Sequence, residues 1–134
     1  MTAFVDTSAL LAVLHRSDKN HARAAATWRA LLENDEVLVC TNYVLLETLA
    51  LLQSRFGLEA VRDLLENVVP LLRVAWVDDE IHGAGVSALL TANRRLLGLV
   101  DCVSFVTMRR LSITRAFEFD KHFVEQGFEA VRDR

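Results

Sequence analysis

The sequence predicts an α/β fold, namely a single three-layer α/β/α domain over residues 1–134 with a mostly parallel sheet of four to five strands. Short apolar runs of large and β-branched residues alternate along the chain with stretches of helical periodicity. The chain has 134 residues, 52% of them hydrophobic, which suits one domain with a real core and excludes a disordered chain. One proline and five glycines leave no room for a repeat, a linker or a low-complexity tract.

Ala3-Phe4-Val5 reads as a buried strand that climbs to Asp6. Thr7 or Ser8 then caps a helix whose apolar residues fall at Leu10, Leu11 and Leu14. With a hydroxyl as cap, Asp6 is left for other work at the carboxyl end of a strand, where parallel sheets bind ligands. A second helix runs from Asp18, its expected cap, to Asn34, with Ala24, Trp28, Leu31 and Leu32 as its apolar stripe. His15 and His21 flank its start and read as surface residues. Val37-Leu38-Val39-Cys40 is the second strand. Thr41 or Asn42 caps the next helix, which carries Glu47 and ends near Phe56-Gly57. Leu58 to Val68 is another amphipathic helix, closed by Pro70.

Arg73 to Val77 reads as the third strand. Asp78-Asp79-Glu80 opens a helix from about Ile81 to Leu97, and acids in a first turn suit the helix dipole. His82 on it reads as a surface residue. Gly98 interrupts, and a further helix runs from Leu99 through Arg110. Arg115 to Asp120 is the fourth strand, ending in a carboxylate as the first does, with Glu118 as a rim or edge residue. Lys121 to Gln126 is a short helical turn, and Phe128 to Val131 a fifth strand at the sheet edge.

Charges interrupt every long apolar run, so no transmembrane helix is expected. The N-terminus lacks a basic region and Asp6 breaks its apolar stretch, which does not fit a signal peptide. Cys40 and Cys102 lie in apolar surroundings without C-x-x-C spacing, as expected of reduced thiols in the cytoplasm, although spacing alone leaves a disulfide open. The net charge is −3, yet the basic residues cluster late, at Arg94, Arg95, Arg109, Arg110, Arg115, Lys121 and His122. A basic rim around an acidic pocket can hold a polyanion while the total charge stays negative.

Glu47 is the anomaly. Its helical neighbours are Tyr43, Val44, Ala50 and Leu51, so its carboxylate is expected to be desolvated. That costs several kcal/mol unless the group is paired, protonated or metal-bound. The bland alternative is a Glu that reaches a buried Arg or a backbone group. Asp101 follows a break and opens an apolar helix, where capping is its rival role. Asp78 is a secondary candidate with a stronger capping role. Asp6 and Asp120 at strand ends, with Glu47 and Asp101 at helix starts, can converge on one end of a small parallel sheet. Two carboxylates about 4 Å apart repel by roughly 4 kcal/mol at an effective dielectric of 20. A cation or protons must offset that. An all-oxygen site without His or Cys suits Mg²⁺ or Mn²⁺, and its natural chemistry is hydrolysis of a phosphodiester.

Four segments together resemble the PIN domain, and more narrowly the VapC-type ribonuclease toxins of toxin–antitoxin pairs. They are Phe4-Val5-Asp6-Thr7-Ser8-Ala9-Leu10, Val44-Leu45-Leu46-Glu47-Thr48-Leu49, Asp101-Cys102-Val103-Ser104-Phe105 and Ala116-Phe117-Glu118-Phe119-Asp120-Lys121-His122-Phe123. The resemblance spans nearly the whole chain and rests on order and spacing. It implies that Asp6, Glu47, Asp101 and Asp120 hold Mg²⁺ or Mn²⁺ for endonucleolytic cleavage of RNA. It also implies a supporting role for Ser8, a homodimer, and inhibition by a co-expressed antitoxin. Many relatives place Ser or Thr where Val100 stands, and some carry a further acid one turn after Asp101; Ser104 stands nearest that role here and joins Ser8 as an expected support of the site. Arg109, Arg110, Arg115, Lys121 and His122 are the candidates for contact with RNA.

Two other readings compete. A receiver-like phosphoacceptor domain would use Asp78 after the third strand, but it leaves Glu47 unexplained. A PIN fold without turnover would bind RNA or protein only.

Overall fold

The computed structural model describes residues 1–132. In chain order the elements are β1 (Thr2–Val5), α1 (Thr7–Leu14), α2 (His21–Glu33), β2 (Val37–Thr41), α3 (Asn42–Phe56), α4 (Leu58–Asp63), β3 (Arg73–Ala75), α5 (Asp79–Ala92), α6 (Leu99–Arg110), β4 (Arg115–Phe117), α7 (Lys121–Glu125) and β5 (Glu129–Ala130). The five strands form one sheet in the order β3-β2-β1-β4-β5, and every pair is parallel. The expected α/β architecture is therefore present, with a sheet that is wholly parallel.

Ala3, Phe4 and Val5 have no exposed surface. Successive strand residues point to opposite faces, so helices must cover both sides of β1. The chain starts in the middle of the sheet, builds outward through β2 and β3, then crosses to β4 and β5 on the other side. The order thus reverses between β1 and β4. A crevice opens at such a switch point beyond the carboxyl ends of the strands, because the connections leave in opposite directions. Phe4 aligns with Ala116 and Val5 with Phe117, and the Asp6 N–H continues the ladder to the Phe117 carbonyl at 3.0 Å.

Helices α5 and α6 pack closely. A Cβ on Gly85 would lie 2.5 Å from Val103 Cγ2, so only glycine permits this spacing.

Several boundaries differ from the sequence expectation. Asp6, not Thr7 or Ser8, caps α1. The second helix starts at His21, while Asp18 holds a turn through the Asn20 N–H. His21 is half-buried and its Nδ1 lies 2.8 Å from the Ala12 carbonyl, whereas His15 stacks on Phe56. The helix expected over 58–68 is α-helical only to Asp63 and continues as a π turn, Leu64–Val68, and a 3₁₀ turn, Val69–Leu71. Pro70 has no N–H to give the preceding turn, and the Val69 N–H reaches back to Leu64 instead. The third strand stops at Ala75 rather than Val77. Helix α5 ends at Ala92, because Asn93 takes the left-handed conformation (φ 50°) that closes helices.

The fourth strand stops at Phe117 rather than Asp120. Two side chains take the N–H groups that would have extended it. Ser8 Oγ accepts from Phe119 N at 2.9 Å, and Glu118 Oε2 accepts from Asp120 N at 2.6 Å. Glu118 is not a rim residue: it is 0% exposed and paired with Arg132 Nη2 at 2.9 Å. Cys40 and Cys102 are buried and unpaired. No helix among the described residues is long and apolar enough to cross a membrane.

Candidate metal centre

Asp6 stands one residue past β1, at the reversal of strand order. Its Oδ2 accepts the Ser8 N–H at 3.1 Å and the Ser8 hydroxyl at 2.6 Å. One carboxylate oxygen thus serves the cap, and the other is left for the crevice. Asp6 is 3% exposed. Burial pushes its pKa up to about 7, against the lowering effect of the Ser8 bond and with the charges of Asp101 and Asp120 adding to the rise.

Asp101 lies in the first turn of α6, three residues after the capping Gly98. Burial, and then the charge of Asp120, raise its pKa to about 6; the Gly98 N–H works against them, and Glu47 adds to the rise. Asp120 caps α7 by accepting the His122 N–H at 2.9 Å. Asp101, Asp120 and His122 each bring a ligand atom within 4.8 Å of the other two. Glu47, on the second turn of α3, is half-buried, so its face is less desolvated than its apolar neighbours suggested. The structure therefore brings Asp101 and Asp120 within ligand reach of each other, with Asp6 and Glu47 outside that tight group but near enough for charge to couple Asp6 to both and Glu47 to Asp101. They come from the β1–α1 junction, α3, α6 and the β4–α7 loop, segments far apart in the chain.

The donor set fits a divalent cation. Carboxylates whose protons are held up to pH 6 or 7 by burial and mutual repulsion are groups that a hard ion can ionise and neutralise. The expectation of a site without histidine does not hold, because His122 is part of the cluster. It is 8% exposed, with Nε2 3.8 Å from Asp120 Oδ1 and Nδ1 3.1 Å from Glu125 Oε1. It is not a residue of an exposed rim. Its position follows from the cap: with Asp120 as cap, the second helical residue turns back toward the same point.

The other candidates divide. Ser8 supports Asp6 and ties it to Phe119. Ser104 does not support the acids: it is fully buried and its hydroxyl donates to the Val100 carbonyl of its own helix. Arg115 does not face the crevice. It opens β4, at the amino end of the strands, and pairs with Glu36 beside Thr2. Arg109 donates to Gln126 and stacks on Phe128, and Arg110 pairs with Glu80. Both lie eight or nine residues beyond Asp101 on α6, roughly 12 Å along the helix. Lys121 is exposed beside Asp120. Asp78 is taken up in capping α5, where it accepts the Ile81 N–H at 2.9 Å. No local pattern in the sequence singles out Arg23. It is exposed, and its guanidinium lies 5.8 Å from the Phe119 ring, next to Asp120.

Comparison with known proteins agrees with this geometry. The PIN domain family model matches residues 3–129. The chain is 32% identical over 130 residues to proteins of two Mycobacterium tuberculosis strains named 23S rRNA-specific endonuclease VapC20, covering 96% of this chain and 97% of theirs. The crystal structure of M. tuberculosis VapC20, described as a Sarcin-Ricin loop cleaving toxin, superposes with a TM-score of 0.87 at 30% identity, over 99% of this chain and 100% of that one. FitAcB from Neisseria gonorrhoeae shares the fold at a TM-score of 0.69 and 16% identity, over 97% of this chain and 96% of that one.

Proposed function

The chain belongs to the PIN domain family, and from that premise we propose that residues 1–134 form one Mg²⁺- or Mn²⁺-dependent endoribonuclease domain, the toxin of a type II toxin–antitoxin pair. The observation that carries the reading is the convergence of Asp6, Asp101 and Asp120 at the β1–β4 reversal, with Asp6 and Asp101 both held protonated well above the usual carboxylate range. Asp6, Glu47, Asp101 and Asp120 would hold the ion. When bound, it supplies the acidified water and the charge compensation that phosphodiester hydrolysis needs. Ser8 fixes the Asp6 carboxylate and, through Phe119, the loop that carries Asp120. Lys121, next to Asp120, and Arg23, over the Phe119 ring, would supply positive charge for the RNA backbone.

The relatives named as 23S rRNA endonucleases make that RNA the first substrate to test. An acidic crevice of this kind suits an antitoxin segment that places an Arg among the carboxylates. A homodimer is part of the proposal. A groove of Leu45, Leu46, Leu49, Leu65, Val69 and Trp76 leaves Leu46 and Trp76 largely exposed, which favours an apolar partner surface. The cytoplasm fits an RNA substrate and two unpaired cysteines.

The test is Asp6→Asn. Asn caps a helix as well as Asp does, so the fold is expected to survive. Purified wild-type protein should cleave 23S rRNA with Mg²⁺ or Mn²⁺ and stop in EDTA, and the variant should lose at least about 100-fold in rate. Undiminished cleavage by a folded Asp6→Asn protein would reject the assignment.

A further inference from the structure

We propose that His122 is a direct ligand of the bound ion, which makes the centre a mixed nitrogen–oxygen site that favours Mn²⁺ over Mg²⁺. The inference rests on the nuclease reading and adds a residue to it.

Nδ1 of His122 faces Glu125 Oε1 at 3.1 Å. A carboxylate accepts only, so Nδ1 is the donor in this contact, and Nε2 is the ring nitrogen left to face a cation. Arg94 Nη2, 3.6 Å from the same Glu125 oxygen, holds that carboxylate ionised. The ring is more than nine-tenths buried, and Nε2 has no hydrogen bond among the described residues. It lies 3.8 Å from Asp120 Oδ1, and a ring nitrogen of His122 is within 4.8 Å of an Asp101 oxygen. A gap of 3.8 Å is too long for a hydrogen bond. The two groups are nonetheless close enough for one cation to hold both after a small side-chain rotation. The Glu125–His122 pair has the form in which proteins present metal-binding imidazoles, with the second ring nitrogen donating to a carboxylate. Imidazole suits Mn²⁺ and other transition ions, whereas Mg²⁺ prefers oxygen and water.

The measurement is pulsed electron paramagnetic resonance on Mn²⁺-loaded protein, paired with calorimetric titration by Mn²⁺ and by Mg²⁺. Wild-type protein should show nitrogen coupling from one imidazole, and ¹⁵N-histidine labelling should change its pattern. His122→Gln keeps a side chain able to donate to Glu125. It should abolish the coupling and weaken Mn²⁺ at least about 10-fold, with Mg²⁺ changed less than about 3-fold. His122→Ala should behave the same way if folded, and the wild-type spectrum decides the matter if it is not. Mn²⁺ bound without nitrogen coupling, or equal losses for both ions, overturns the proposal and leaves His122 as a partner of Asp120 only. Asp101→Asn separates the two levels. If it binds Mn²⁺ as wild type does, the acid centre itself is wrong; if it loses Mn²⁺ while the wild-type spectrum shows no nitrogen, only the His122 assignment fails.

Discussion

The hydroxyl of Ser8 lies 2.6 Å from Oδ2 of Asp6 and donates to it. Ser8 Oγ in turn accepts the Phe119 N–H at 2.9 Å, so one short side chain joins the loop after β1 to the loop after β4. Ser8→Ala would leave the Phe119 N–H without this partner and free the Asp6 carboxylate to turn. The expected cost is about 1–3 kcal/mol in stability and roughly 10- to 100-fold in RNA cleavage, with Ser8→Thr recovering much of both. Thermal melts and single-turnover rates check this. Wild-type cleavage by Ser8→Ala would show that the bond does not orient Asp6.

The raised pKa values of Asp6, about 7, and Asp101, about 6, make the metal-free protein sensitive to pH in a defined direction. In both groups the folded pKa lies above the unfolded one, 3.8. Their contribution to stability is complete below about pH 4 and is lost as pH rises through 6 and 7. Metal-free wild type should therefore lose Tm between pH 5 and 8 relative to an Asp6→Asn/Asp101→Asn variant, which subtracts all other titrating groups. Metal binding displaces the same protons, so Mn²⁺ affinity should rise over pH 6 to 7 and level off above. A flat affinity across that window would contradict the assignment.

Glu118 is wholly buried behind the site, and Arg132 from the end of the chain reaches it at 2.9 Å. Burial raises the Glu118 pKa and Arg132 opposes the rise. Arg132→Met removes the partner and leaves a buried acid that holds the Asp120 backbone N–H. Breaking such a pair costs about 3 kcal/mol, discounted here because the guanidinium side is about one-third exposed. Adding Glu118→Gln should restore much of the loss. Denaturant unfolding of the two single variants and the double variant measures the coupling, and strict additivity would count against it.

The exposed apolar groove of α3 tests the dimer. Leu46 is 68% exposed and Trp76 74%. If the chain pairs through this groove, wild type should sediment as a dimer and Leu46→Glu as a monomer, with Tm within about 2 °C of wild type, since an exposed side chain adds little to the monomer fold. A monomeric wild type would overturn the pairing, and a dimeric Leu46→Glu would exclude this groove as its surface.

Much of the site was legible along the chain. A buried run stopping at Asp6, hydroxyls directly after it, and a carboxylate on an apolar helix at Glu47 are local signals, since each needs only neighbouring residues to be seen. Asp101 and Asp120 could be picked out in the same way, by their place at the start of a helix and the end of an apolar run. Segment types followed from periodicity for the same reason, while ends such as Asn93 and Phe117 depended on which side chain took a particular N–H.

What local pattern could not supply was the company each side chain keeps. Arg115 sits in the late basic cluster by sequence, yet Glu36 draws it to the opposite end of the sheet. Glu118 read as an edge residue because Arg132, fourteen residues on, gives no hint of pairing with it. His122 looked like surface charge until capping by Asp120 turned its ring among the acids. The amino-acid order by itself determined the alternation of strands and helices and singled out four acids as candidates for the site. Tertiary structure alone decided the direction each charge faces, because electrostatic energy depends on distance and burial in space, and neither is encoded in separation along the chain.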